Sequence, residues 1–82
     1  MTYEEVLSRV NEIFIDVLED DDIRLNHKTT ASDVEDWDSL THIELVVAIE
    51  KDFKIKFTAG EIQGFANVGE MCESIARRLN GN

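Results

Sequence analysis

Eight side chains near the start of the chain, Tyr3, Val6, Leu7, Val10, Ile13, Phe14, Val17 and Leu18, recur at spacings of three and four. An α-helix gathers such positions on one face, whereas a strand would scatter them over both of its faces. Thr2 and Glu5 stand in the T-x-x-E arrangement that caps a helix start. These signals predict a first helix from about Tyr3 to Leu18. The acidic run Glu19 to Asp22 is expected to end it, because carboxylates are unfavourable at the negative end of the helix dipole. A helix with one apolar stripe needs partners to bury it.

The partners follow. WDSLTHIELVVAIEKDF, Trp37 to Phe53, predicts a second helix from about Ser39 to Asp52. On a wheel at about 100° per residue, Ile43, Leu45, Val46, Ile49 and Phe53 are expected to share a broad inner face. Leu40, Glu44, Val47 and Lys51 fall opposite. FKIKF, Phe53 to Phe57, alternates as a strand does, but no second strand is visible to pair with it. It is expected to be an extended connector with Ile55 and Phe57 turned inward. Thr58 and Glu61 repeat the T-x-x-E box and open a short helix that Gly64 can stop. Asn67 is expected to cap a last helix with Val68, Met71, Cys72, Ile75, Ala76 and Leu79 on one face. Arg77 and Arg78 suit that helix's C-terminal dipole. Ile23 to Asp38 has no period and reads as a long loop, pinned to the core by Ile23, Leu25, Val34 and Trp37. The expected fold is all-α, a small four-helix bundle with a long loop between helices one and two and a short third helix. Residues 1–82 are expected to form a single domain.

The charge narrows the function. Eighteen acidic and eight basic side chains give a net charge of −10. Phosphate backbones demand lysine and arginine, so nucleic acid is not expected as a partner. Anionic membrane surfaces are excluded on the same ground, and no apolar run is long enough to span a bilayer. Basic protein surfaces are the natural complement. The single cysteine, Cys72, allows no internal disulfide and falls on a core-facing side. MTYEEVLSRV carries acids where an export signal would carry a basic segment, so the expected location is the cytoplasm. The run Glu19-Asp20-Asp21-Asp22 begins like a calcium loop, but Arg24 and Leu25 break the ligand pattern, and no metal site is expected. A monomer is expected.

The candidate site is Ser39. A serine at a helix start is a common cap. The same position presents unpaired N–H groups and a partial positive charge, which favour a bound or attached phosphate. Beside it runs the outer stripe of Leu40, Glu44, Val47 and Lys51. A buried helix would not need the charges, and a solvated face would not need the two aliphatic residues. A docking surface needs both. The alternative is that the long loop covers Leu40 and Val47. Ser39 and His42, three apart on one helix, also raise the distant possibility of a small serine hydrolase. Asp38, adjacent to Ser39, is a poor orienter for the imidazole, so an enzyme is not expected.

Asp38-Ser39-Leu40, then Ile43-Glu44-Leu45, then an apolar run ending in Phe53 resemble the acyl carrier proteins, within the wider phosphopantetheine carrier domains. The resemblance extends over most of the chain. It implies that Ser39 carries 4′-phosphopantetheine, donated by coenzyme A, through a phosphodiester. The thiol of that arm would hold acyl groups as thioesters for fatty acid, polyketide or related biosynthesis. It implies that Asp38 assists the phosphopantetheinyl transferase and its magnesium. It implies that Leu40 and Glu44 are read by partner enzymes with basic docking surfaces. The wheel adds Val47 to that face, and Asp36 and Trp37 at the end of the loop are further candidates for partner recognition. Trp37, Thr41, His42 and Lys51 depart from the pattern of fatty-acid-synthesis carriers and leave the pathway open. The rival within the class is a peptidyl or aminoacyl carrier, which more often shows G-G-H-S-L or G-G-D-S-L.

Overall fold

The structure is a computed structural model and describes residues 2–80. Its elements in order are α1 (Tyr3–Leu18), a short 3-10 turn (Ala31–Asp33), α2 (Ser39–Phe53), α3 (Ala59–Gly64) and α4 (Val68–Leu79). There is no strand among the described residues. α1 packs against both α2 and α4, and the core lies between these three. Its centre is Val6, Val10 and Phe14 of α1, Leu45 and Ile49 of α2, and Val68, Met71, Cys72 and Ile75 of α4. Truncating one of the large aliphatics here would cost roughly 2–5 kcal/mol.

Each helix starts on a side-chain cap. The Thr2 hydroxyl accepts the Glu5 N–H at 3.2 Å, and Glu5 returns a bond to the Thr2 N–H at 2.8 Å. Thr58 and Glu61 do the same for α3 at 3.2 and 2.9 Å. Asn67 Oδ1 accepts the Glu70 N–H at 2.9 Å. The ends differ from expectation. α1 stops because Glu19 turns into the left-handed region, at φ 54°, and its N–H bonds back to the Ile15 carbonyl. Gly64 is the last residue of α3 and needs no special conformation. The chain leaves that helix at Phe65, in extended backbone.

One residue of α2 was misplaced by the wheel. Ile43 is 52% exposed rather than part of the inner face. The buried side chains of α2 are Leu45, Val46, Ile49 and Phe53. Ile43 sits about 120° round from Ile49 at 100° per residue, on the flank next to Val47. α3 contributes no buried residue and does not cover that flank.

The connector is shorter than expected, since Phe53 ends α2 and Lys54 turns left-handed at φ 58°; in the remainder Phe57 is buried and Ile55 half-buried, as expected. Glu50 holds it by accepting the Phe57 N–H at 2.8 Å. Arg78 turns from the end of α4 to Glu61, Ser74 and the Lys56 carbonyl, so it joins α4 to α3 rather than capping its own helix. The guanidinium holds the Glu61 carboxyl down at about 2. In the long loop, Ile23 and Trp37 are buried and Leu25 and Val34 half-buried. Asn11 of α1 grips it by accepting the Leu25 N–H at 2.7 Å. Cys72 is wholly buried, and burial pushes its thiol up to about 12.

Candidate functional site at the start of α2

Asp38 is the cap of α2. Its Oδ1 accepts the Leu40 and Thr41 N–H groups at 3.0 and 2.9 Å. Thr41 completes the box, accepting the Asp38 N–H at 2.8 Å and donating its hydroxyl to the Asp36 carbonyl at 2.7 Å. The two backbone N–H groups hold the Asp38 carboxyl below its usual value. Ser39 is the first helical residue and is exposed. The cap is built by Asp38 and Thr41, so the Ser39 hydroxyl is not needed for it. That narrows one expectation: two of the amides at this helix end, those of Leu40 and Thr41, are already bonded to Asp38.

Behind Ser39 the loop is anchored. Trp37 meets Phe14 edge-on at 4.9 Å between ring centres. Its indole N–H donates to His42 Nδ1 at 3.0 Å. His42 Nδ1 is thus an acceptor, so Nε2 carries the proton and donates to the Ile62 carbonyl at 2.8 Å. Both ring nitrogens are engaged, and neither is left to take a proton from Ser39. The hydrolase reading lacks its base. Trp37 itself is buried, so it shapes the loop rather than offering a surface to a partner. A cleft opens beside Ser39, walled by Trp37, His42, Ile62, Phe65 and Ala66.

The outer face of α2 is open. Leu40 is 74% and Val47 42% exposed, with Glu44 exposed between them. The long loop does not cover them. Ile43 joins this face, so the aliphatic area is wider than the stripe read from the sequence. Asp36 is exposed at the loop's end. The sequence reading missed Thr41, whose D-x-x-T spacing from Asp38 is a variant of the box found at Thr2 and Thr58. No cluster of three or more His, Cys, Asp or Glu suited to a metal occurs among the described residues. No helix among them is long and apolar enough to cross a membrane.

An exposed serine whose hydroxyl lies outside the cap thus stands at the head of a helix with an open apolar and acidic face. Known proteins resemble this chain over most of its length. Residues 8–75 match the model of the family described as phosphopantetheine attachment site. An acyl carrier protein of Phenylobacterium zucineum is 33% identical over 75 residues, covering 92% of this chain and 95% of that protein. One from Petrotoga mobilis is 28% identical over 80 residues, covering 98% and 94%. The solution structure of holo acyl carrier protein from Geobacter metallireducens superposes with a TM-score of 0.83 at 40% identity, covering 94% of this chain and 93% of that one. The chain belongs to the phosphopantetheine attachment-site family and, within it, to the acyl carrier proteins. Such proteins are carriers rather than enzymes, and their cofactor is covalently attached phosphopantetheine.

Proposed function

We propose that Ser39 bears the 4′-phosphopantetheine arm and that residues 1–82 work as a single carrier domain presenting acyl groups to acyl-processing enzymes. The arm supplies a terminal thiol that holds the cargo as a thioester. The observation that carries this reading is Ser39 itself, exposed at the first position of α2 with its hydroxyl unused by the cap. It also lies within the stretch matched by the family model. The names of the relatives support acyl over peptidyl cargo.

The surrounding residues take distinct parts. Asp38 caps the helix through Oδ1 alone, and those bonds hold its carboxyl below the usual value. Its Oδ2 is left for the magnesium of the phosphopantetheinyl transferase. His42 is engaged on both sides, so the Ser39 proton leaves to a group on the transferase. Leu40, Ile43 and Val47 provide apolar anchors, and Glu44 and Asp36 orient a basic partner surface. The protein acts as a cytoplasmic monomer.

Mass spectrometry after incubation with coenzyme A, magnesium and a broad transferase tests the central claim. One arm is expected on the original chain and none on Ser39→Ala, with an unchanged helical circular-dichroism spectrum. Modification that survives in Ser39→Ala would sink it. Glu44→Lys should slow loading mainly through association, with a weaker dependence of the rate on salt.

A further inference from the structure

Three of the chain's four lysines, Lys51, Lys54 and Lys56, fall within six residues of a protein whose net charge is −10. All three are exposed, at the C-terminal end of α2 and in the connector to α3. Every ion pair among the described residues uses Arg9 or Arg78, and none uses a lysine. The neighbouring carboxylates are turned elsewhere. Glu50 accepts the Phe57 N–H at 2.8 Å, and Asp52 accepts Arg9 of α1 at 2.7 Å. The helix dipole accounts for Lys51 in the last turn, but Lys54 and Lys56 lie beyond the helix.

Lys54 closes α2 at φ 58° and ψ 47°, the left-handed conformation that Glu19 adopts at the end of α1 and in which glycine is at ease. A lysine stands where a glycine would fold more easily. The three lysines line a groove with Val47, half-buried Ile55 and Glu50, whose single carboxylate is bonded to the Phe57 N–H and leaves the lining net positive.

We propose that this groove is a second docking surface and that its occupant is an acidic segment of a partner enzyme. Its carboxylates would meet Lys51, Lys54 and Lys56, and one aliphatic side chain would rest on Val47 and Ile55. Charge complementarity selects this occupant, because a basic segment is repelled here. A second copy is opposed by the repulsion of two chains that each carry −10. The surface is opposite in sign to the face around Glu44, and Val47 lies between the two. A partner that engages both reads the direction of α2 as well as its position. The proposal does not depend on Ser39.

The test titrates a synthetic amphipathic peptide, glutamates flanking a leucine, into the full isotope-labelled chain at low salt. Amide shifts are expected to concentrate at Val47, Lys51, Lys54 and Ile55. The glutamine version of the peptide should bind about tenfold more weakly. The variant combining Lys51→Gln, Lys54→Gly and Lys56→Gln should lose a similar factor, and Lys54→Gly relieves backbone strain, which protects the fold. Lys28→Gln should stay within about twofold of the original chain, as it lies off the groove. Shifts spread over the whole surface, or an equal loss in Lys28→Gln, would reduce the effect to general charge attraction and overturn the proposal. Self-association that the triple variant abolishes would assign the groove to a second copy and overturn it as well. Ser39 loading is read separately by mass, so failure there leaves this test intact.

Discussion

The first turns of α2 and α4 meet the same demand with different neighbours. Each needs partners for its unpaired N–H groups, and each begins with a side-chain oxygen, Asp38 Oδ1 or Asn67 Oδ1. At α4 the long loop then closes over the start. The Thr29 and His27 carbonyls accept the Val68 and Gly69 N–H groups at 2.8 and 3.0 Å, and both residues are buried. At α2 the cap is assembled from Asp38 and Thr41, and Ser39 and Leu40 stay exposed. A helix start sealed by another segment is committed to structure. One satisfied from within its own first turn leaves the next hydroxyl available for chemistry.

The contrast breaks most readily at Gly69. A Cβ there would stand 2.6 Å from the His27 carbonyl oxygen. In an open helix, replacing glycine by alanine stabilises by up to about 1 kcal/mol. At α4 the sign should reverse, and Gly69→Ala should lose roughly 1–3 kcal/mol in urea unfolding. A variant as stable as the original would mean the loop does not seal this end.

Trp37→Phe comes next. It keeps an aromatic ring beside Phe14 but removes the N–H that His42 Nδ1 accepts. A loss of about 1 kcal/mol is expected, since the acceptor is left without its donor. Unchanged stability would show that water replaces the indole at no cost.

Acid separates the two caps. The Asp38 carboxyl titrates below its usual value of 3.8 in the folded chain, so the unfolded chain binds its proton first as pH falls. Its contribution is therefore present above about pH 4 and lost as pH drops through the lower folded value. Asn67 does not titrate. Hydrogen exchange at the Leu40 and Thr41 amides should accelerate in acid before exchange at Glu70. Simultaneous loosening would show that the whole fold opens first.

The smallest effect on stability belongs to Ser39→Ala, expected within about 0.5 kcal/mol of the original in thermal melts. A loss well beyond that would give the hydroxyl a structural duty and weaken the contrast at its root.

Much of this was legible in the residues. The period of three and four and the T-x-x-E box placed α1 at Tyr3–Leu18, and Asp38-Ser39 placed the start of α2. These signals act over one turn of helix, so no distant partner is needed to read them. The 3-10 turn Ala31–Asp33 went unread although Asp33 accepts the Thr30 N–H at 2.9 Å, one half of the box seen at Thr2 and Thr58. Ile43 was misread because a wheel assumes an even cover of neighbours, and α3 is too short to provide it. His27 had no explanation in the sequence. Its part lies in its backbone carbonyl, which no side-chain pattern reports, and the only clue was a glycine in the first turn of α4. The Arg9 to Asp52 pair joins residues 43 apart and left no local mark.

The depth of Cys72 bears on how cargo would survive. With a phosphopantetheine arm on Ser39, the protein would own two thiols. An acyl group passes between thiols only when the incoming one is a thiolate. Cys72, wholly buried and with its pKa raised to about 12, is almost entirely protonated at neutral pH and out of reach. The arm cannot discharge onto its own scaffold, and a thiol-directed label added to the folded holo-protein should mark the arm alone.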